Sequence, residues 1–280
     1  MDTELARTFL AVAATGSFVA AAERLHVTQS TVSARIRTLE DQFGRRLFTR
    51  NKAGAVITDA GRRFQKHAAL LVRTVEQARH DIGLPRGFRA GVVVGARIGL
   101  WDGLMLDWLA ELTTSIPDIS FSAEIGFEPD LMQGLIDGRI DIGVMYAPQR
   151  RPGMELARIA EERLVLVRSA RAAPHEGAYV YVNWGPEFYS QHSASFPDLP
   201  GPHLSVNVGW LALQHILDHG GSAYLPSRQV RHLVADGRLE EVPGAPAFVL
   251  PIWAVYPHDR DTKLIDPMIE ALAGRAAATV

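Results

Sequence analysis

Residues 16–43 read GSFVAAAERLHVTQSTVSARIRTLEDQF, and this stretch decides the fold of the N-terminal part of the chain. Ser17 is a favourable N-cap for a short helix over 18–25, and Thr28 is a favourable N-cap for a longer helix over 29–43. An apolar stripe gives the longer helix an inward face: Val32, Ile36, Leu39 and Phe43. Two such helices joined by a three-residue turn predict a helix-turn-helix, whose second helix enters the major groove of DNA.

The polar side of that second helix suits a DNA contact. Its side chains are hydroxyls, an amide and guanidinium groups, with no acid before Glu40. Gln and Arg can read base edges, while hydroxyls and helix N-terminal N–H groups can bind phosphate. A merely solvated face is the alternative, but such a face normally mixes in acids. The set predicted to contact DNA is Thr28, Gln29, Ser30, Thr31, Ser33, Arg35 and Arg37.

The flanking segments extend this pair of helices to a winged domain over residues 1–58. Leu5, Phe9 and Val12 predict a first amphipathic helix. Two extended runs, 45–50 and 55–58, around a four-residue turn predict a β-hairpin wing. Arg50 and Lys52 at its tip are expected to contact sugar-phosphate or the minor groove, although for either residue alone a solvated loop charge would be the preferred explanation.

Charge is distributed unevenly along the 280 residues. Residues 1–90 contain 15 Lys and Arg against 8 Asp and Glu, and residues 91–280 contain 14 against 23. A basic head on an acidic body favours a polyanion partner for the head. No apolar run approaches the roughly 18 residues of a membrane span, and the absence of cysteine excludes disulfides and thiolate metal sites. We expect a cytoplasmic protein without membrane association.

A connecting helix is predicted from Thr58 to about Ile82, followed by a hinge to residue 90. Apolar residues in it follow a 4-3-4-3-4 spacing, which is a heptad seam: Phe64, Ala68, Leu71, Val75, Ala78 and Ile82. Packing on the helix's own domain is the alternative, but a regular two-position stripe favours a partner helix. Residues 59–90 are therefore predicted to be a linker and dimerisation element.

Residues 91–280 alternate short apolar runs with helical patterns, which predicts an α/β domain with a largely parallel sheet. Strands are predicted at Val92–Val94, Ile119–Ile125 and Ile140–Met145, with a helix over about Trp101–Leu112 after the first of them. A second unit begins near Leu164 and includes a predicted strand at Leu204–Val208. The stretch 251–256 and its following helix are expected to return to the first unit. We divide the domain into lobe I, about 91–162 and 250–280, and lobe II, about 163–249.

The chain resembles the LysR-type transcriptional regulators, strongly over its first sixty residues. The matching N-terminal segments are Phe9–Ala13, Gly16–Phe18, Ala21–Leu25, Thr28–Ser30, Val32-Ser33, Ile36-Arg37, Leu39-Glu40, Leu47–Arg50 and Thr58–Gly61. Weaker landmarks follow at Ile116–Ile119, Leu135–Gly143, Leu164–Val167 and Gly220–Pro226. Residues 96–109 also resemble a subgroup that contains a regulator of flagellar genes, but one regulator's target does not transfer through a scaffold.

The resemblance implies double-stranded DNA, a small-molecule effector and further copies of the chain as partners. In this family the linker helix dimerises, the effector domain resembles periplasmic solute-binding proteins, and ligand lies between its two α/β lobes. A homodimer or homotetramer is therefore expected, and RNA polymerase is a further candidate partner.

Ligands of open α/β lobes lie at the C-terminal ends of the strands. This rule nominates Ala96, Arg97, Ile98, Gly99, Trp101, Gly126, Phe127, Met145, Tyr146, Asn183, Trp184, Val208 and Gly209. For any single aromatic among them core packing is the favoured explanation, and Arg97 is equally well explained as a surface charge or as an anion ligand. The family commonly has small hydroxyl residues where this chain has Arg97 and Ile98. With Trp101 and Phe127 as apolar walls, Arg97 leads to the hypothesis of an organic anion as effector.

No catalytic or phosphate-binding motif is recognisable, so we expect neither an enzyme nor a cofactor. His215 and His219 are four residues apart, but no third ligand is evident, and a solvated or capping role is favoured over a metal site. The rival hypothesis is a small-molecule-binding or catalytic α/β protein with an incidental basic N-terminus.

Overall fold

The structure, a computed structural model, describes residues 2–51, 54–84, 86–170, 178–199 and 201–279, with the side chains of all of these except 50, 51, 80 and 81. The helices are α1 (Thr3–Thr15), α2 (Phe18–Arg24), α3 (Gln29–Phe43), α4 (Asp59–Gly83), α5 (Ile98–Leu100), α6 (Leu106–Ser115), α7 (Glu128–Asp137), α8 (Pro186–Ser195), α9 (Gly209–His219), α10 (Ser227–Ala235) and α11 (Thr262–Thr279). The strands are β1 (Phe48–Asn51), β2 (Gly54–Ile57), β3 (Ala90–Ala96), β4 (Ile119–Ile125), β5 (Ile142–Met145), β6 (Met154–Ser169), β7 (Val180–Val182), β8 (Leu204–Val206), β9 (Ser222–Pro226), β10 (Leu239–Glu241) and β11 (Phe248–Pro257).

Helices α1 to α3 and the β1–β2 hairpin form the predicted winged helix-turn-helix. The side chains of Ser17 and Thr28 accept hydrogen bonds from the backbone of Ala20 and Thr31, which confirms both predicted N-caps. The predicted inward faces of α1 and α3 are buried, except Phe43, which stays 47% exposed although its ring lies 5.0 Å from that of Phe64. Local capping and periodicity were therefore sufficient to predict these helices.

The wing is attached to the turn between α1 and α2. Gly16 ends α1 in the left-handed conformation, and its carbonyl accepts a hydrogen bond of 2.7 Å from the backbone N–H of Ala55. Gly54 has φ +124°, and a Cβ there would lie 2.5 Å from that same carbonyl oxygen. Only glycine fits this approach, so the hairpin is held against the helical core at its second strand.

The first half of α4 packs on its own N-terminal domain. Phe64, Ala68 and Val72 are buried, and the ring of Phe64 lies 4.8 Å from that of Phe9 in α1. The prediction that Phe64 and Ala68 belong to the dimer seam is wrong, because both side chains are buried in the core of their own protomer. The rest of the seam stays accessible: Leu71 and Val75 are half-buried, Ala78 is exposed, and Ile82 is 88% exposed.

Lobe I rests on the middle of α4. Gly138, at the end of α7, approaches so closely that a Cβ there would lie 2.6 Å from the Cα of Arg73. The guanidinium of Arg73 lies 2.5 Å from the carboxylate of Asp259, just before α11. Helix α4 is therefore held by both the winged helix-turn-helix and lobe I.

The sheet of residues 91–280 is mixed, not largely parallel as predicted. β3 pairs in parallel with β4 and β5, as the repeated β-α-β pattern indicated. However, β11 pairs antiparallel with β5 and β6, and β6 also pairs antiparallel with β9 and β10. The reason is that β6 and β11 are long strands that run together from one lobe into the other, a long-range pairing that local periodicity does not encode. The expected return of 251–256 to lobe I is confirmed by its pairing with β5.

Several element boundaries also differ from the prediction. β5 begins at Ile142 instead of residue 140, and β8 ends at Val206 instead of residue 208. The predicted helix over 101–112 is divided: a kinked turn, Trp101–Met105, precedes α6 because Asp102 is extended and Gly103 has φ +69°.

Lobe II has an aromatic core around His192 in α8. This imidazole is 5% exposed, and its Nε2 lies 2.8 Å from the hydroxyl of Tyr179. Six aromatic rings have centroids 5.0 to 6.0 Å from that of the imidazole: Tyr179, Tyr181, Phe188, Phe196, Tyr224 and Phe248. An apolar enclosure of this kind favours the neutral imidazole.

Acidification is therefore expected to destabilise lobe II through His192. Burial lowers the pKa of this imidazole below its ordinary 6.5. Below pH 6.5 the imidazole is protonated in the unfolded chain but stays neutral in the folded chain. The stability that neutral His192 contributes to the folded state is therefore complete above pH 6.5 and is lost as the pH falls through the lowered pKa. Thermal unfolding between about pH 7.5 and about pH 5 should show a smaller fall in Tm for His192→Phe than for the wild type. Parallel pH profiles would contradict this assignment.

Candidate DNA-reading face and effector cleft

The start of α3 presents part of the predicted DNA-contact set to solvent. Gln29, Ser30 and Arg37 are exposed, and Thr31 and Ser33 are half-buried. Thr28 is exposed, but its hydroxyl is occupied as the cap, 2.7 Å from the hydroxyl of Ser30 and 2.9 Å from that of Thr31. Lys52 lies outside the described residues, as does the side chain of Arg50, so their predicted contacts stay predictions.

Arg35 faces α1 instead of DNA. Its Nη1 lies 3.1 Å from the carboxylate of Glu4 and donates to the hydroxyl of Thr8 at 3.3 Å. The guanidinium thus joins α3 to α1 in the three-helix packing. We therefore withdraw Arg35 from the predicted base-reading set, a correction that required knowing how the two helices pack.

Glu40 connects α3 to the wing, a role that the sequence analysis missed. The carboxylate is 7% exposed and accepts backbone hydrogen bonds from Leu47 at 2.8 Å and from Phe48 at 3.2 Å. Its other oxygen lies 3.2 Å from Nη1 of Arg46, whose side chain is 81% exposed. The only sequence signal was that Glu40 is the first acid on α3.

A groove of about 490 Å³ lies between α3 and the wing. Arg37 and Arg46 both line it, together with Ser33 and Thr49. Arg46 was absent from the set of residues predicted to contact DNA, although it follows Arg45 directly in the sequence. Two guanidinium groups against the single carboxylate of Glu40 leave this groove with a net positive charge, where a phosphate backbone could lie.

Many of the nominated effector residues do meet between the lobes. A Cβ on Gly99 would lie 3.4 Å from the indole of Trp184 and 3.6 Å from the hydroxyl of Tyr146. Gly209, at the start of α9, approaches the same indole so closely that a Cβ would lie 2.5 Å from it. Aromatic rings and glycines from both lobes therefore fill the space that the end-of-strand rule identified.

Other nominated residues are less available. Trp101 is 7% exposed, and its indole N–H donates to the carbonyl of Ala96. Met145 belongs to a separate core on the other side of the sheet, with Val93 and Leu131, which corrects its assignment to the cleft. The remaining nominated residues are half-buried or exposed at loop and helix ends: Ile98, Gly126, Asn183 and Val208.

Arg97 is already neutralised within lobe I. Its guanidinium is 4.6 Å from the centroid of Phe127, and its Nη1 lies 3.5 Å from the carboxylate of Glu128. The side chain is only 6% exposed. The hypothesis of an organic anion required a guanidinium available to a ligand, so this pairing removes its basis.

A buried charge pair that the sequence analysis missed joins the lobes. Arg228, in the first turn of α10, donates to Glu162 on β6 through Nε at 3.0 Å and Nη2 at 2.9 Å. The hydroxyl of Tyr146 donates to the same carboxylate at 3.2 Å. Burial raises the pKa of the Glu162 carboxyl, and the Arg228 guanidinium opposes part of that rise. The two residues are 66 positions apart, so no local pattern connects them.

Neither a metal centre nor a membrane span emerges from the part of the chain that the structure describes. His, Asp and Glu side chains there form no group of three or more that could hold a metal ion. The rings of His215 and His219 are 5.1 Å apart on α9. Among the described helices, none combines the length and the apolarity that a bilayer crossing requires.

Two family models match the chain. The model described as the bacterial regulatory helix-turn-helix protein of the lysR family matches residues 3–62, and the model of the LysR substrate binding domain matches residues 86–180. The HTH-type transcriptional regulator HdfR of Yersinia pestis (strain Pestoides F) is 28% identical over 294 residues, covering 100% of this chain and 99% of that protein.

Solved structures share the fold over the full length. ArgP from Mycobacterium tuberculosis has a TM-score of 0.61 at 20% identity, covering 99% of this chain and 98% of the other. DarR from Vibrio fischeri, in complex with DNA, has a TM-score of 0.58 at 20% identity, covering 98% of each chain. With the helix-turn-helix, wing, linker helix and two-lobed domain described above, the chain belongs to the LysR family of bacterial transcriptional regulators.

Proposed function

We propose that this regulator recognises specific DNA sequences through the exposed start of α3 and positions itself through the wing. The observation that carries this proposal is the side-chain set Gln29, Ser30 and Arg37, which is solvent-exposed between the start and the middle of α3 and free of acids. Such groups can bond base edges and phosphates in a major groove. Sequencing the genomic fragments that the purified full chain retains is the direct test, and retention without any enriched sequence would contradict it.

Gln29→Ala is expected to relax sequence preference. An amide bonded to a base edge contributes roughly 1–3 kcal/mol of discrimination, whereas a phosphate contact contributes equally to all sequences. Binding to an enriched fragment and to a scrambled fragment should therefore converge for Gln29→Ala. Lys52→Ala is the matched control: it should weaken both fragments alike and reduce the salt slope by about one. Equal losses on both fragments for Gln29→Ala would exclude α3 as the reader.

We propose that regulation arises from binding rather than catalysis, in the cytoplasm. A small-molecule effector between the lobes would shift the relative populations of two arrangements of the oligomer and so change its DNA contacts. The proposed division is a DNA-binding domain over 1–58, a linker over 59–90 and an effector domain over 91–280. The proposed dimer seam is reduced to Leu71, Val75, Ala78 and Ile82. The same proposal includes the formation of tetramers through the effector domains. It also includes a contact between the regulator and RNA polymerase.

A further inference from the structure

Arg228 reaches from lobe II into lobe I. Besides its two bonds to Glu162, its guanidinium donates through Nη1 to the backbone carbonyl of Asp102 and through Nη2 to that of Gly99. Its neighbour Gln229 donates to the same Gly99 carbonyl at 2.9 Å. The Arg228 side chain is 3% exposed and that of Glu162 is 1% exposed. One fully buried guanidinium therefore connects α10, the lobe-crossing strand β6 and the turn after β3.

The backbone of lobe I is shaped to accept these bonds. Asp102 is extended with ψ 126°, and Gly103 is left-handed, so the helical path breaks at the kinked turn. A carbonyl at such a break has no N–H four residues later in helical register and is available to another donor. A Cβ on Gly103 would lie 3.5 Å from Nη1 of Arg228, in ordinary contact.

This position lies between the two lobes, at the effector site proposed above. Gly99 lies three residues beyond the end of β3, and it also faces Tyr146 and Trp184. The groups that surround the guanidinium are the carboxylate of Glu162 and two backbone carbonyls, all of which are acceptors. A carboxylate in place of the guanidinium would face the Glu162 carboxylate and the carbonyl oxygens of Gly99 and Asp102. The complementary species is a planar cation with several N–H donors.

We propose that Arg228 is a built-in occupant of the inter-lobe cleft, which holds the lobes closed without ligand, and that the effector is a guanidinium-bearing cation that displaces it. The proposal rests on the effector-responsive function above and specifies its ligand class. An incoming guanidinium can take over the bonds to Glu162, Gly99 and Asp102, while the released Arg228 side chain is hydrated outside the cleft. Exchange of one cation for another keeps Glu162 paired throughout, which avoids an uncompensated buried charge.

The test uses the full chain with Arg228→Ala and methylguanidinium as the probe. Removing the guanidinium leaves Glu162 buried without its counter-charge, so we expect a lower Tm than that of the wild type. Methylguanidinium, at concentrations far below those that denature proteins, should raise the Tm of this variant saturably. Titration calorimetry should show at least roughly tenfold tighter binding to Arg228→Ala than to the wild type, in which Arg228 competes. Tetramethylammonium chloride at equal concentration supplies a cation without N–H donors, and it should not raise the Tm of Arg228→Ala.

Further variants keep the result interpretable. Arg228→Lys retains the charge but not the planar fork, and it replaces Arg228→Ala if the latter does not accumulate as folded protein. Arg228→Ala/Glu162→Gln should lose most of the methylguanidinium binding, because the anionic partner is gone. An unchanged Tm for Arg228→Ala, equal effects of methylguanidinium and tetramethylammonium on that variant, or no detectable binding of methylguanidinium to the wild type would overturn the proposal. Retention of genomic DNA fragments by the full chain is measured in a separate experiment. A failure of DNA recognition is therefore distinguishable from a failure of guanidinium binding.

Discussion

Glu40→Ala is expected to lower the free energy of unfolding of the N-terminal domain by roughly 2–5 kcal/mol, and to weaken binding to all DNA sequences. The substitution leaves the backbone N–H groups of Leu47 and Phe48 without their acceptor in a buried site. Each such orphaned donor costs roughly 1–3 kcal/mol. Because those bonds also fix the start of β1 relative to α3, the wing should lose its position beside the reading helix.

Urea unfolding of the full chain and DNA binding at two salt concentrations measure both effects. Glu40→Gln retains an acceptor oxygen for the two N–H groups and should lose less stability. Arg46→Ala removes only an ion-pair partner that is 81% exposed, so it should change stability by less than about 1 kcal/mol. If Glu40→Ala is no less stable than Arg46→Ala, the carboxylate does not anchor the wing.

Glu40 also illustrates what the sequence could and could not predict. The caps Ser17 and Thr28, the apolar stripes and the turn length are local signals, and they located α1 to α3. The wing was predicted with a turn that is too long, because Asn51 and Gly54 pair as strand residues. The bonds of Glu40 and Arg35 depend on how one element packs against another. Residue type alone therefore led to the prediction that Arg35 contacts DNA, and it predicted no structural role for Glu40.

The same distinction holds for the effector cleft. The end-of-strand rule brought Gly99, Tyr146, Trp184 and Gly209 together correctly, because it follows from the geometry of an α/β lobe. The rule does not predict which charged side chains lie between the lobes. The charged groups between the lobes are Arg228 and Glu162, which meet only after β6 has crossed from one lobe to the other. Arg97 is paired with Glu128 within lobe I.

For the linker helix, periodicity alone could not decide between two partners for one stripe. The structure divides the stripe: its first part is buried on α1, and its last part remains accessible. Leu71 lies at the transition, partly packed on the N-terminal core, so a charge there would damage the protomer as well as a dimer. Ile82 is 88% exposed, and replacing it should leave the protomer intact. It is the sharper position for testing self-association.

Ile82→Lys is expected to weaken dimerisation by roughly 2–4 kcal/mol, or roughly 30- to 1000-fold in dimer affinity. In a two-fold seam the substitution introduces two ammonium groups into an apolar contact, one from each copy. Analytical ultracentrifugation over a micromolar dilution series should show a shift toward monomer. Binding to an operator with two half-sites should fall with it, because the two reading helices are no longer joined.

Leu70→Lys is the matched control. Leu70 is an equally large apolar side chain on the same helix, 47% exposed but outside the heptad positions, and it lines the groove between α4 and lobe I. It carries the same change of size and charge as Ile82→Lys. The seam assignment requires the control to keep the wild-type mass at concentrations where Ile82→Lys dissociates. If both variants keep the dimer, the contact between copies does not involve the accessible end of α4; if both lose it, the whole exposed surface of the helix takes part instead of one heptad stripe.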